Sequence, residues 1–299
     1  MLVPKYLGKE IKMSQYIIIT DSSSDLNAKM IEKYGIASLD LAVTVEGEEP
    51  KRNSEIDPKS FYASLRGKKG AKTSAVAIET FKDFFRPYLE QGTDILYLGF
   101  SSGLSGTYQC AFVAAREMRE EFPERTVLTV DTLCASLGQG LLVHYAVQKR
   151  DEGADIQTVC DYIESIKLNL CHLFTVDDLF FLKRGGRVSA ATAIVGSLAG
   201  IKPIMHVDNE GHLVKVGIKR GRNGSIDDLC ARMQATAIDP AEQTVFISHG
   251  DCLEDAEKLA AKIRETMGVK EIFIDYVGPV IGAHSGPGTL ALFFIGKER

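Results

Sequence analysis

The sequence lacks the patterns of disulfide-rich, zinc-binding and membrane-spanning proteins. Its six cysteines include no C-x-x-C pair, so neither a zinc site nor a disulfide framework is expected. No run of apolar residues approaches the roughly 18 that a transmembrane helix needs. The first fifteen residues, MLVPKYLGKEIKMSQ, contain neither the apolar core nor the cleavage site of a secretory signal. We therefore expect a cytoplasmic protein with reduced cysteines and no membrane span.

The sequence also lacks an excess of positive charge. Its 35 lysines and arginines are outnumbered by 40 aspartates and glutamates, which gives a formal net charge of −5. A chain of this charge has no general field for a polyanion, so nucleic acid is not expected as its main partner. With 299 residues, 45% of them hydrophobic, the chain is long enough for two domains that each bury a core.

The first half of the chain repeats one pattern three times. A short apolar run ends in a cluster of small polar residues, and a helical pattern follows. The apolar runs are Tyr16–Thr20, Asp94–Leu98 and Thr126–Val130. Alternating strands and helices predict a Rossmann-like parallel sheet. The three polar clusters would then lie at the carboxyl ends of the strands, where open α/β sheets bind ligands.

The pattern changes near Lys167–Cys171, and we place a domain boundary there. Residues 15–168 are predicted to form an N-terminal α/β domain, with an irregular insert of a hairpin and loop over about residues 42–72. Residues 1–14 are interpreted as an N-terminal extension. Residues 169–299 are predicted to form a smaller α+β domain with a mixed sheet.

Residues 99–103, GFSSG, contain the G-x-S-x-G pattern of a serine hydrolase. Ser101 as the nucleophile could formally be joined by Asp275 and His284, in the chain order of such enzymes. A nucleophile elbow requires a helix directly after the serine, whereas the helix predicted here starts only after Gly106 and runs over Thr107–Glu121. A serine esterase using Ser101 is therefore kept as an alternative function.

Patterns for cofactors and metals are incomplete. Neither G-x-G-x-x-G nor a Walker motif follows the second strand. The run Asp21-Ser22-Ser23-Ser24-Asp25 approaches a phosphatase motif and a cation site but departs from each at one position. Asp21 and Ser23 could still bind a hard cation, but we expect Ser24 or Asp25 simply to cap the next helix. No cofactor and no resident metal is expected.

Several hydroxyl side chains follow predicted strands and would face one crevice. They are Thr73, Ser74, Ser101, Ser102 and Ser105. Hydroxyl groups donate hydrogen bonds without being acidic or strongly basic, which suits the binding of a carboxylate. A generic module that binds small anions is therefore a second alternative function.

A histidine from the second half is a candidate partner for these hydroxyls. His284 lies in the segment VGPVIGAHSGPG, residues 277–288. Glycines on both sides let a backbone approach a ligand closely, and a purely structural histidine would more often lie in a regular element. We predict that His284 lies in a ligand-binding loop, the alternative being a hydrogen-bonded core histidine.

A basic cluster precedes a run of small residues. Lys183, Arg184 and Arg187 are separated only by Gly185 and Gly186. The cluster is either a solvated turn or a contact for a partner protein or a transferred phosphate, because the glycines let the guanidinium groups approach one anion. A short helix is predicted over Asp177–Leu182, before the cluster. A long helix is predicted for the run after it, AATAIVGSLAG, at residues 190–200.

Taken together, these motifs resemble the DegV family of bacterial fatty-acid-binding proteins. The resemblance covers nearly the whole chain and rests on six ordered motifs: Thr73-Ser74, SSGLSGTY at 101–108, Asp131 with Ala135-Ser136 and GQG at 138–140, LKRGGRVS at 182–189, Lys202-Pro203-Ile204, and IGAHSGPG at 281–288. One departure is that the family usually has Thr-Ser-Gln-Pro, whereas Ala75-Val76 follow the pair here. This replacement could reshape the mouth of a pocket.

The resemblance implies a two-domain α/β protein that buries one long-chain fatty acid, such as palmitate, between its domains. Thr73, Ser105 and His284 would hold the carboxylate, and Arg220 would lie near the mouth of the site. The protein would have no catalytic residues of its own. It would present the lipid to a separate dihydroxyacetone-kinase-like subunit, which uses ATP to make an acyl phosphate for phospholipid synthesis. Transient membrane contact is compatible with this role.

Overall fold

The computed structural model describes residues 16–189 and 200–299. In chain order, the strands are β1 (Tyr16–Asp21), β2 (Ala37–Leu39), β3 (Ala42–Val45), β4 (Lys51–Arg52), β5 (Ala71–Ser74), β6 (Asp94–Gly99), β7 (Val127–Asp131), β8 (Leu170–Thr175), β9 (Ile201–Val207), β10 (Leu213–Arg220), β11 (Thr244–His249), β12 (Glu271–Tyr276) and β13 (Leu290–Ile295). The helices are α1 (Ala28–Tyr34), α2 (Pro58–Arg66), α3 (Ile78–Glu90), α4 (Thr107–Glu121), α5 (Leu137–Asp151), α6 (Ile156–Ile166), α7 (Phe180–Arg184), α8 (Gly221–Thr236), α9 (Leu253–Met267) and α10 (Pro279–Ser285).

The first half of the chain forms the parallel sheet that its alternating pattern predicts. The strand order is β2-β1-β6-β7, and all neighbouring strands are parallel. Ile18, Ile19 and Leu96 are completely buried because a parallel sheet is covered on both faces. The carboxyl ends of β1, β6 and β7 therefore meet at one edge of the sheet, which confirms the Rossmann-like α/β prediction.

The first helix begins later than the sequence indicated. Asn27 caps α1 by accepting a hydrogen bond from the amide of Met30 at 2.9 Å. The prediction that Ser24 or Asp25 provides this cap is wrong, because residues 22–24 form a short 3-10 helix of their own. The carboxylate of Asp21 caps that turn by accepting from the amide of Ser23 at 3.0 Å. Among the described residues, no group of acidic, histidine or cysteine side chains is arranged to hold a metal ion.

The segment over residues 42–72 is more regular than its composition suggested. It contributes β3, β4 and β5 to an antiparallel sheet of order β4-β3-β5. It also contains helix α2, which starts at Pro58 after the N-cap Asp57, as is favourable for proline in a first helical turn. This small sheet fixes Thr73 and Ser74 at the end of β5.

The second half forms the mixed sheet that was expected. Its six strands have the order β10-β9-β8-β13-β11-β12. Strands β11 and β12 are parallel, and the other neighbours are antiparallel. Helices α8 and α9 cover one face through a core that includes Leu229, Met233 and Ile263.

Helix α5 lies between the two large sheets. Its apolar side chains belong to one core with Leu98 of the first sheet and Phe293 of the second. Residues 137–143 of this helix are all buried. All of them except Gln139 are apolar or glycine, as burial on every side favours, and the side-chain amide of Gln139 donates to the hydroxyl of Thr20 at 3.0 Å. The two sheets are thus joined by a shared core as well as by the chain.

Two predictions for the second half need correction, and two others lie outside the described residues. Helix α7 starts at Phe180, three residues after the predicted start at Asp177. His284 lies in helix α10 and not in a loop. The predicted extension at residues 1–14 and nearly all of the predicted helix at 190–200 fall outside the described ranges. Within those ranges, no helix combines the length and the apolar character needed to cross a bilayer.

Candidate functional site

A cavity lies between the strand ends of the first half and one face of the second sheet. The empty space in it, including the part open to solvent, is about 970 Å³. Its walls come from the end of β5, the loop before α4, the start of α5, strands β8 and β13, and helix α10. The cavity is therefore built from both halves of the chain.

Most of the cavity wall is apolar. The apolar side chains are Leu41, Ala75, Phe100, Leu104, Ala135, Phe174, Leu182, Val207, Leu213, Val277, Val280, Ile281, Ala291 and Phe293. Phe174 and Ala291 are cross-strand neighbours on β8 and β13, and Phe293 lies two residues further along the same face. Such a wall favours a hydrocarbon over a polar ligand, because apolar surface gains free energy when it leaves water.

Two predicted site residues meet in the polar part of this wall. The hydroxyl of Thr73 lies 2.8 Å from Nε2 of His284. Nδ1 of His284 is buried and has no hydrogen-bond partner among the described residues. Buried N–H groups are rarely left unpaired, so the proton is assigned to Nε2, which donates to Thr73. The hydroxyl hydrogen of Thr73 then remains available for a ligand.

Gly185 explains how His284 reaches this position. A Cβ atom on Gly185 would lie only 2.3 Å from Nδ1 of the imidazole. The glycine of the KRGGR sequence therefore lets helix α10 bring its histidine against α7. Close approach of the backbone was expected in this region, although the glycine that allows it lies in the basic cluster and does not flank His284.

The surroundings of His284 keep its imidazole neutral. Burial, followed by the nearby positive charge of Arg187, lowers the pKa of His284 to about 4. The side chain is consequently uncharged near neutral pH and acts as a hydrogen-bonding group. An anion bound beside it would have to be balanced by another cation.

Arg187 is such a cation. It lines the cavity and is half-buried, and burial lowers its pKa from the usual value without removing the charge, because a guanidinium stays protonated in proteins. Its Nε donates to the carbonyl of Leu104 at 3.2 Å, and Nη1 donates to the carbonyl of Gly185. Within the described part of the chain, no carboxylate forms an ion pair with Arg187. The wall therefore contains a positive charge without a described counter-ion.

Ser105 lies where the sequence placed it, at the start of α4. Its hydroxyl is 2.9 Å from the hydroxyl of Thr107 and accepts from the Thr107 amide at 3.2 Å. Both Ser105 and Gly106 line the cavity, so the N-terminal end of this fifteen-residue helix faces it. The positive end of the helix dipole favours an anion there.

The other predicted hydroxyls have different roles. Ser74 lines the cavity. Ser101 is completely buried, and its hydroxyl donates to the carbonyl of Gly211 at 2.9 Å. Ser102 is exposed, and its amide donates to the carboxylate of Asp131 at 3.2 Å. Ser101 and Ser102 therefore stabilise the loop and do not face the cavity.

These contacts also argue against the esterase alternative. A nucleophilic serine needs an exposed hydroxyl with a base beside it, whereas Ser101 is buried and bonded to backbone. His284 is paired with Thr73 instead, and Asp275 forms a hydrogen bond with the side-chain amide of Asn27. The structure does not assemble a triad from the three residues that the G-x-S-x-G pattern suggested.

The three predicted basic residues of α7 and the following turn separate into two groups. Arg187 lines the cavity, whereas Lys183 and Arg184 are exposed. The ammonium of Lys183 lies 5.4 Å from the ring centre of Phe180, and the guanidinium of Arg184 lies 4.6 Å from that of Phe181. An exposed pair of cations thus lies on the helix directly before the residue that enters the cavity.

Arg220 was expected from the family resemblance to lie near the mouth of the site. It is exposed at the end of β10, next to the start of α8, and it is not among the described residues that line the cavity. Ala75, which differs from the usual family pattern, does line the cavity. The departure at Ala75 therefore falls on a wall residue, and its effect on the mouth of the pocket stays a prediction.

Sequence reasoning missed several polar wall residues, among them His172 and Ser285. His172 is buried, its Nδ1 lies 3.2 Å from the carbonyl of Leu170, and its Nε2 accepts from the amide of Ala135 at 3.3 Å. Burial holds the pKa of His172 well below its usual range, so this histidine is neutral and fully bonded. A lone histidine in a strand gives no sequence signal for such a position.

Comparisons with known proteins agree on one family. The model of the family described as "DegV family" matches residues 15–297. A DegV domain-containing protein of Clostridium perfringens is 45% identical, with 96% of this chain and 99% of the relative covered. A DegV domain-containing protein of Streptococcus pyogenes is 37% identical, with 95% and 99% covered.

Solved structures give the same result. A DegV lipid-binding protein from Thermotoga maritima matches with a TM-score of 0.84 and 29% identity, covering 95% of this chain and 99% of the other. A DegV-family protein from Thermus thermophilus, described by its fatty acid binding, matches with a TM-score of 0.83 and 30% identity, covering 94% and 99%. DegV of Bacillus subtilis, described as a fatty-acid-binding protein, matches with a TM-score of 0.82 and 27% identity, covering 95% and 100%.

Proposed function

The chain belongs to the DegV family, and from this premise we propose that it binds one long-chain fatty acid and presents the carboxylate to a separate kinase subunit. The observation that carries the proposal is the cavity, in which an apolar wall is continuous with Thr73, Ser105, Arg187 and His284. The relatives from Thermus thermophilus and Bacillus subtilis, which share this fold, are described as binding fatty acids. A hydrocarbon tail and a carboxylate head match the two parts of the wall.

The tail provides most of the affinity in this account. Burying about fifteen methylene groups at about 0.8 kcal/mol each gives at most about 12 kcal/mol, before the costs of association and ordering are subtracted. Each charge-assisted hydrogen bond to the head contributes about 1.5–3 kcal/mol. The tail therefore dominates the strength of binding, and the head fixes the orientation of the ligand.

The head is held by neutral donors and one cation. Thr73 can donate its hydroxyl hydrogen to a carboxylate oxygen while it accepts from His284. Ser105 lies at the N-terminal end of α4, whose helix dipole favours an anion. Arg187 balances the negative charge. Hydroxyls and a guanidinium leave the carboxylate oxygen chemically intact, which suits a protein that passes its ligand to a separate enzyme.

Presentation to a kinase uses the exposed cations next to the site. Lys183 and Arg184 lie on α7, four and three residues before Arg187, where they can meet a partner or the phosphate being transferred. The partner is a dihydroxyacetone-kinase-like subunit. In the reaction, a carboxylate oxygen attacks the γ-phosphorus of ATP, ADP leaves, and an acyl phosphate forms.

Fatty-acid binding is tested by mass spectrometry of lipid extracted from the protein after purification from bacteria. We expect a fatty acid of about 14–18 carbons in a near-stoichiometric amount, because a tail of this length suits the family resemblance. The delipidated protein should then take up added palmitate or oleate. Protein that stays empty when both are offered would overturn the proposal.

Presentation is tested separately with the loaded protein, ATP and a dihydroxyacetone-kinase-like subunit from the same bacterium. Acyl phosphate is trapped with hydroxylamine and detected as the hydroxamate. We expect product only when both proteins are present. Loaded protein that gives no hydroxamate with an active kinase would contradict presentation while leaving fatty-acid binding intact.

A further inference from the structure

One polar group in the cavity wall has no partner. Ser285 lines the cavity and is 5% exposed, and its hydroxyl oxygen is buried without a hydrogen bond to any described residue. A buried hydroxyl that forms no hydrogen bond is unfavourable, and native proteins usually satisfy such groups. A ligand that fills the cavity is one way to satisfy it.

Neighbouring hydroxyls in the same wall differ from Ser285 in this respect. The hydroxyl of Thr289 lies 2.8 Å from the carbonyl of Gly286 and 3.1 Å from that of Ser285. The hydroxyl of Ser136 lies 3.0 Å from that of Ser248 and also bonds to the carboxyl of Asp25. The hydroxyls of Thr289 and Ser136 therefore have hydrogen-bond partners within the protein. The hydroxyl of Ser285 has none among the described residues and can still donate and accept.

Ser285 lies next to His284, at the end of the cavity where the head of the ligand would bind. Helix α10 directs Val280, Ile281, His284 and Ser285 to the cavity, as residues three and four apart share a helix face. Ser285 directly follows His284, and consecutive Cα atoms are about 3.8 Å apart. The free hydroxyl therefore lies at the same end of α10 as the histidine that contacts Thr73.

We propose that Ser285 is a further head-binding residue, which donates its hydroxyl hydrogen to the carboxylate oxygen that Thr73 does not hold. The proposal rests on the fatty-acid function proposed above. An ionised carboxylate has about four acceptor positions on its two oxygens, so Thr73 and Ser105 alone leave room for a third hydroxyl. Methylene groups offer no acceptor, whereas the head offers one next to His284.

The test is the variant Ser285→Ala, measured by titration of the delipidated protein with palmitate. We expect the Kd to rise roughly tenfold, since a hydrogen bond to a charged group is lost. The melting temperature of the ligand-free protein should stay the same or rise, because the variant removes a hydroxyl that has no partner. A serine with a purely structural role would instead lower the melting temperature.

Ser24→Ala is the matched control. The hydroxyl of Ser24 is also buried without a partner among the described residues, and Ser24 is not one of the described residues that line the cavity. This variant should leave the Kd for palmitate unchanged. An equal rise of the Kd in both variants would show an indirect effect and overturn the assignment of Ser285.

Titration with hexadecanol shows whether Ser285 contacts the carboxylate head or the hydrocarbon tail of the ligand. Hexadecanol has the same chain but only one oxygen, so Ser285→Ala should weaken its binding much less than that of palmitate. Equal weakening for both ligands, or an unchanged Kd for palmitate, would overturn the proposal. Wild-type protein that binds neither ligand would instead refute the fatty-acid function itself, and the same titration shows which of the two has failed.

Discussion

At the scale of single residues, the site works through hydrogen bonds more than through acid–base chemistry. His284 is buried and neutral, and it lies 2.8 Å from the hydroxyl of Thr73. Because the imidazole donates to this hydroxyl, the hydroxyl hydrogen of Thr73 stays free to donate to a ligand. Arg187 supplies the charge that the imidazole lacks. In the proposed function, each of these residues would help to hold a carboxylate without reacting with it.

Replacing Thr73 by valine tests the head contact directly. The change keeps the shape of the side chain and removes the hydroxyl, so the Kd for palmitate should rise roughly tenfold or more. Thr44→Val, on the neighbouring strand β3 and outside the described cavity wall, serves as the control. Isothermal titration of both variants measures the effect, and equal affinities in wild type and Thr73→Val would refute the contact.

The pKa of His284 predicts a pH dependence of stability. Because its pKa falls from 6.5 in the unfolded chain to about 4 in the folded protein, the unfolded state binds a proton first as the pH decreases. Its contribution to the free energy of unfolding is therefore complete above pH 6.5 and decreases as the pH falls towards 4. The loss is on the order of 1 to 3 kcal/mol.

His284→Gln isolates this effect, because glutamine keeps a donor but does not titrate in this range. Urea unfolding of ligand-free wild type and variant should show a difference in stability that shrinks between pH 6.5 and pH 4. A constant difference over this interval would mean that His284 protonates equally in both states.

At the scale of helices and strands, sequence reasoning was accurate where local signals agree. The predicted helix over 107–121 coincides with α4, because a buried strand, a glycine- and serine-rich turn and a helical pattern follow each other there. Helix α10 was missed because it has only seven residues, contains Gly282 and is flanked by Gly278 and Gly286. Pro279 at its first position was the available signal.

Gly185→Ala tests the contact between α7 and α10. The new Cβ would lie 2.3 Å from Nδ1 of His284, so the imidazole must move away from Thr73. We expect affinity for palmitate to fall about as much as in His284→Ala, with the fold retained in circular dichroism. Gly224→Ala in α8, where a Cβ has room at 3.7 Å from the nearest side chain, should bind normally.

At the scale of the whole molecule, the ligand would be enclosed by parts that are distant in sequence. Phe174 and Ala291 become neighbours only through the antiparallel pairing of β8 and β13. Sequence motifs identified Thr73, Ser105 and His284, but the apolar wall depends on this long-range register. The wall could not be predicted for that reason, and neither could the free hydroxyl of Ser285, since a single serine has no pattern.

Because residues from both halves line the cavity, ligand binding should stabilise the whole fold. At a free palmitate concentration of about 100 times the Kd, linkage gives about 2.7 kcal/mol, which corresponds to a rise in melting temperature of roughly 4 °C for a chain of 299 residues. Differential scanning calorimetry of delipidated and reloaded protein measures this rise in melting temperature. A melting temperature that does not respond to saturating palmitate would contradict enclosure by both halves.

The central claim is that the cavity holds one fatty acid by its tail and its carboxylate. Isothermal titration of the delipidated wild-type chain with palmitate and with methyl palmitate tests it most directly. The account predicts one palmitate per chain, a negative heat-capacity change from apolar burial, and weaker binding of the ester, which lacks the charged head. Absence of saturable binding, or equal affinity for acid and ester, would contradict it.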